Sequence, residues 1–344
     1  MSTIFPRTPT PFIAVVAGTP TTPTPPQKTD FSYLPSDLVK VILLRYCHHH
    51  TILTRHVCRT WYQSTKQQHH QRPNTRNTYY HIPSSTINSI IQAVAEHGNF
   101  HLIQWLHDYL FPALNWHIDW NLGLISAARS GHIDVVRLCK EKYGASDVNR
   151  AMAEAASGGH EQIVRLCKEQ YGATDIFAAM MRAAWGGYID IVRLCIDKYG
   201  CSKVDPVMTH AANAGHMNIV RLCKETYSAT DIQQAMCQAA FRGHMDIVRL
   251  CKEDYGATDV DDAMRWAAMG NHIDIVRLCK ETYGATDVYK TLVYSARYGR
   301  IDIIRLCLEQ YGPFNAECIS DVINAASYTP IVWLLQRYAQ SIGV

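Results

Sequence analysis

From about residue 84 onward, apolar residues recur at helical spacing, stop at glycines and begin again. In "IDVVRLCKEKYG" Val135, Val136, Cys139 and Tyr143 share one side of a helical wheel, while Asp134, Arg137 and Glu141 fall elsewhere around it. The stretch reads as an amphipathic helix, with Asp134 in the first turn, where the macrodipole favours an anion, and Gly144 as a left-handed stop. In "SDVNRAMAEAASGG" the next helix is expected, capped by Ser146 or Asp147 and ended at Gly158 and Gly159. Its packing face is Ala151, Met152, Ala155 and Ala156, small enough for neighbouring helices to approach closely.

This pair of helices is one unit of an internal repeat. Cys139, Cys167, Cys195, Cys223, Cys251, Cys279 and Cys307 stand 28 residues apart, and the same step relates Arg137 to Arg305 and Tyr143 to Tyr311 through five intermediates each. A lone hairpin cannot bury both apolar faces, whereas stacked neighbours share one core, so the period predicts an all-α fold, an α-solenoid of helical hairpins.

A His seven residues before the Cys also recurs, as in His132 and Cys139, which raises the alternative of a repeated metal site. Geometry disfavours it. Seven helical residues rise ~10 Å and packed helices lie ~8–10 Å apart, whereas zinc bonds are ~2 Å long. Stacked cysteines are likewise too distant for a disulfide. The thiols are expected as core filling, and the His as polar filling of the turn between helices, replaced by Tyr188 and Arg300 in two copies. Cys201 and Cys237 fall outside the column and are open to surface exposure, but with no activating base nearby they are expected to be incidental thiols.

Positions that vary between copies separate surface from scaffold. In the Ala-rich helix of each unit they are Phe177, Met181, Arg182 and Trp185, then Gln234, Gln238 and Phe241, then Asp262, Arg265, Trp266 and Met269, then Tyr289, Tyr294, Arg297 and Tyr298. Aromatic residues and Arg are enriched at binding hot spots, so this helix face is the expected target-binding surface, although some of the same residues are also suited to packing against the next hairpin. The other helix carries a near-constant Asp, Arg, Lys and Glu surface, expected to be a solvated back.

Composition narrows the function classes. A formal charge of +3 over 344 residues gives no strongly basic groove, so nucleic acid is not an expected partner. No apolar run approaches the ~20 residues of a membrane span, and "FIAVVAG" is too short and lacks the basic start of a signal peptide, so a reducing, cytoplasmic setting and no membrane partner are expected. No Gly-rich phosphate loop, His-Glu-x-x-His, Cys-x-x-Cys or nucleophile elbow is present, and neither an enzyme activity nor a cofactor is expected.

The amino-terminal third has a different texture. Residues 1–30 are rich in Thr and Pro without period, as expected of a flexible tail; residues 31–63 hold two short helical patterns, around Leu38, Val41, Ile42 and Leu44 and around Ile52, Leu53, Val57, Cys58 and Trp61; residues 64–83 read as a polar linker to the repeats at 84–344. His48, His49 and His50 admit a metal or pH-sensing reading, but consecutive helical residues point in different directions, which favours solvated surface.

Two resemblances follow. "GHIDVVRLCKE" with the preceding Ala-Ala pair resembles ankyrin repeats over about residues 86–337. It differs in the shorter period and in Arg150, Ala151, Met152 and Ala153 standing where that family has Thr-Pro-Leu-His, so the family's β-hairpin fingers are expected to be cut to turns. "NAASYTPIVWLLQRY" lacks the Gly-His turn, as a terminal cap would. Leu34, Pro35, Leu38, Ile42, Val57, Cys58 and Trp61 resemble the F-box, with His48, His49, His50, Thr51 and Thr54 departing from its Leu-rich middle. This resemblance implies docking to the Skp-family adaptor of SCF-type ubiquitin ligases, the repeats selecting the protein to be modified. The combination is similar to proteins of large DNA viruses of amoebae, which implies a host target in the host cytoplasm or nucleus.

Overall fold

We describe residues 84–110 and 118–341 of a computed structural model. The expected tail, F-box-like unit and linker, with Leu34, Pro35, Leu38, Ile42, Val57, Cys58 and Trp61, lie outside the described residues. Within them the chain is an all-α solenoid of helical hairpins, with no strand among the described residues.

The hairpins run α1 (Ser84–Glu96) and α2 (Phe100–Trp105), α3 (Trp120–Ser130) and α4 (Ile133–Arg137), α5 (Val148–Ser157) and α6 (Glu161–Glu169), α7 (Ile176–Gly186) and α8 (Ile189–Arg193), and α9 (Val204–Ala214) and α10 (Met217–Arg221). They continue with α11 (Ile232–Arg242) and α12 (Met245–Arg249), α13 (Val260–Gly270) and α14 (Ile273–Arg277), α15 (Val288–Tyr298) and α16 (Ile301–Gln310), and α17 (Ala316–Ala325) and α18 (Thr329–Ser341). In most units the second helix widens after its Arg into a π-helical turn, as at Leu138–Lys142 and Leu250–Asp254.

The first helices start where an Asp side chain caps them: Asp147 accepts from the Arg150 amide, Asp175 from Ala178 and Asp259 from Asp262. They end where a left-handed residue turns the chain, Gly187, Gly215 and Gly243 at φ 83°, 86° and 86°, with Asn271 at 70° in the equivalent place. Apolar residues of both helices join one continuous core from Ile91 to Leu335, which includes all seven columnar cysteines. Successive first helices pack closely through their alanines, whereas successive second helices meet only sparsely, so the first helices line the tighter side of the stack.

Three ladders of hydrogen bonds run between neighbouring units. The recurring His does more than fill its turn. The Nε2–H of His132, His160, His216 and His244 donates to the carbonyls of Glu96, Arg129, Trp185 and Asn213 in the preceding unit, at 2.9, 2.9, 2.9 and 3.1 Å. Arg300 donates to Met269 in the same way, and Tyr328 lies over Gly299 where the terminal unit has no His. On the second helices, the Tyr171, Tyr199, Tyr227, Tyr255, Tyr283 and Tyr311 hydroxyls donate to Glu141, Glu169, Asp197, Glu225, Glu253 and Glu281, at 2.6–2.8 Å. At the loops, the side-chain oxygens of Asn121, Asn149, Asp205 and Asp261 each accept from two successive backbone amides of the next unit, as Asp261 does from Thr286 and Asp287. These partners account for the polar residues of three columns that do not face outward freely.

Candidate partner-binding face

The columnar cysteines lie singly in the core, 0% exposed, and burial pushes their thiols up to about 12, far from thiolate chemistry at neutral pH. Cys237 does not take the surface exposure that the sequence left open: it is buried at 1%, because it sits on the flank of α11 facing the next unit, and burial raises its thiol to about 11. Cys201 is half-buried.

The second helices spend their charges on each other. Arg137, Arg165, Arg221, Arg249 and Arg277 each pair with a Glu one turn away, Glu141, Glu161, Glu225, Glu253 and Glu281, at 3.5, 2.6, 3.2, 3.5 and 3.6 Å. A self-paired surface of this kind contributes little beyond solubility.

The first helices present something different. Two variable columns, 28 residues per step, run down their open side: Glu154, Arg182, His210, Gln238, Trp266 and Tyr294 in one, and Arg129, Ser157, Trp185, Asn213, Phe241, Met269 and Arg297 in the other. The stacking brings a residue of the second column against the residue 25 positions later in the first, on the next helix. Arg129 Nε donates to Glu154 at 2.8 Å, Trp185 meets His210 edge-on at 6.5 Å between centroids, Asn213 donates to Gln238 at 2.6 Å, and Phe241 meets Trp266 edge-on at 5.8 Å. The unlike side chains therefore form one diagonal ribbon across the units.

Each residue expected at the surface finds a definite place on or beside this ribbon. Trp185 and Tyr298 are 45% and 42% exposed, and Arg182 and Arg297 are exposed with them. Arg182 reaches Glu154 at 3.8 Å, so Glu154, only 5% exposed, is held between Arg129 of one neighbour and Arg182 of the other. Gln234, Gln238, Phe241, Trp266, Met269 and Tyr294 are half-buried. Asp262 and Arg265 form an ion pair on α13. Phe177, Met181 and Tyr289 pack partly against the core; Lys203 lies 5.0 Å over the Phe177 ring, and the Tyr289 hydroxyl donates to Asp321 at 3.1 Å. Phe177 and Tyr289 thus serve contacts between units.

Arg129, Glu154, His210, Asn213 and Arg242 belong to the same face and were missed by sequence reasoning, which took aromatic-rich copies and passed over polar ones. The 28-residue step carried the signal for four of them, since they occupy the same two columns as Trp185 and Trp266. Arg242, one residue beyond, lies 5.6 Å over the Phe241 ring, and Arg297 lies 5.7 Å over Tyr294.

The molecule is thus an all-helical repeat protein with a uniform scaffold and one variegated face. No model of a known protein family matches the chain, and no curated protein is significantly similar to it. Among the described residues no helix is long and apolar enough to cross a membrane.

Proposed function

We propose that the chain is a non-enzymatic interaction protein, whose first-helix ribbon holds a target protein while the F-box-like segment around Leu38 and Trp61 docks a Skp-family adaptor, making it a substrate receptor of an SCF-type ubiquitin ligase. The contiguous diagonal ribbon carries this reading: aromatic, Arg and amide side chains vary from unit to unit on a scaffold that otherwise repeats, as expected when fold and recognition are separated. The ordered Leu34, Pro35, Leu38, Ile42, Val57, Cys58 and Trp61 set supports the adaptor half. The ankyrin-like spacing and the likeness to amoebal virus proteins point to a host target met in host cytoplasm or nucleus.

Pull-down of a recombinant Skp-family adaptor by the full chain tests the adaptor half. Binding is expected to be lost in Leu38→Asp and Trp61→Asp, and adaptor binding that those variants leave unchanged refutes it. A second reading, a scaffold or decoy that binds without ubiquitin transfer, is favoured by His48, His49, His50, Thr51 and Thr54 in the middle of the F-box-like segment. Reconstituted ubiquitination of a repeat-bound partner separates the two.

A further inference from the structure

Two cations on the first-helix face stand out against the paired charges of the second helices. Arg242 donates to the Asn213 side-chain oxygen at 3.2 Å and covers Phe241, and Arg297 covers Tyr294; neither has a carboxylate partner among the described residues. Between them on α13, Trp266 and Met269 offer a half-exposed apolar step, while Asp262 is already neutralised by Arg265. The order along the stack is cation on an aromatic ring, apolar step, cation on an aromatic ring.

We propose that this three-unit segment, α11, α13 and α15, binds an extended acidic segment of the target protein, with two carboxylates five or six residues apart and an apolar residue midway. This rests on the reading of the ribbon as a target-binding face and names its occupant. Packed helices lie ~8–10 Å apart, so two steps from Arg242 to Arg297 cover ~16–20 Å. An extended chain advances ~3.3 Å per residue, so that span matches five or six residues of peptide. Guanidinium groups already resting over Phe241 and Tyr294, 5.6 and 5.7 Å from the ring centroids, lose less side-chain freedom on meeting a carboxylate, and each presents a planar fork for bidentate pairing. Nucleic acid fits less well. Phosphate binding gains from many neutralised charges, whereas this segment offers only two guanidiniums without a carboxylate partner among the described residues.

The test uses the full chain and an array of synthetic peptides in which two Asp flank a Leu at every spacing from about two to nine residues, with Asn-substituted and fully randomised sets and an oligouridylate alongside. Binding is expected to peak at a spacing of five or six, to vanish in the Asn set, and to weaken about fivefold in each of Arg242→Gln and Arg297→Gln, more at low salt. Enrichment of non-acidic peptides that Trp266→Ala abolishes overturns the acidic occupant and leaves the ribbon as the target face. Oligouridylate binding weakened by the same Arg variants overturns it in favour of nucleic acid. Array-wide absence of binding, or binding that all three variants leave unchanged, overturns both the occupant and the face.

Discussion

The His ladder makes a quantitative prediction about two glycines that look alike in the sequence. Gly172 and Gly187 both have left-handed backbones, φ +71° and +83°. An alanine at either pays ~1–2 kcal/mol for that conformation, offset by ~0.4–1 kcal/mol because the unfolded chain loses freedom too. At Gly172 nothing lies within 4 Å of the added methyl, so Gly172→Ala is expected to cost about 1 kcal/mol in total. At Gly187 the methyl would sit 2.7 Å from Cε1 of His216, the ring whose Nε2–H donates to Trp185 in the preceding unit. Displacing that ring forfeits a hydrogen bond worth ~0.5–1.5 kcal/mol and loosens the seam, which puts Gly187→Ala at about 1.5–2.5 kcal/mol. Urea unfolding followed by circular dichroism measures both, with His216→Ala completing a double-mutant cycle. The excess cost at Gly187 is expected to disappear in the His216→Ala background. Equal costs at the two glycines, or an excess that persists without the imidazole, refute the account of the His as a strap between units.

Three further outcomes are expected. Ser228 holds a left-handed φ of 59° where other units have Gly with open space around it, so Ser228→Gly should stabilise by about 1 kcal/mol in the same urea assay. Arg129→Ala leaves the buried Glu154 with only the longer contact to Arg182; because the guanidinium is largely exposed, a loss of about 1–2 kcal/mol is expected by thermal or urea unfolding, and much less for Arg137→Ala. His272 titrates below its usual 6.5, chiefly through burial, with His244 and Arg300 adding to the effect against the bond to the Phe241 carbonyl. The fold therefore prefers neutral His272, its contribution is complete above pH 6.5 and is lost as pH falls through the lowered folded value, and His272→Gln should flatten the decline of stability across that window.

The hairpin architecture was legible because the 28-residue step places Cys139 and its equivalents, the Ala pairs and the Gly stops in one register, and only stacked helices satisfy all of them. Helix limits followed from local chemistry: Asp147 and Gly158 stand where the sequence put them. The roles of His132, Tyr171 and Asn149 were not legible, since each bonds to a unit 25 to 36 residues away and periodicity reports spacing without partners. The same gap explains Cys237, open to exposure by its absence from the Cys column yet buried by the neighbour it faces. At the candidate site, Trp185, Phe241, Trp266 and Tyr294 were found by residue type, whereas Glu154 and Asn213 emerged only when stacking showed that the columns touch.

Most straps, tyrosine bonds and loop caps reach from one hairpin to the next by the same atoms, and the seams at His160 and His244, which carry all three, are interchangeable with each other. A hairpin duplicated, deleted or swapped in phase would inherit ready-made bonds on both sides. Such a chain can lengthen or reshuffle its contact surface by recombination between its own units, with no new core to invent.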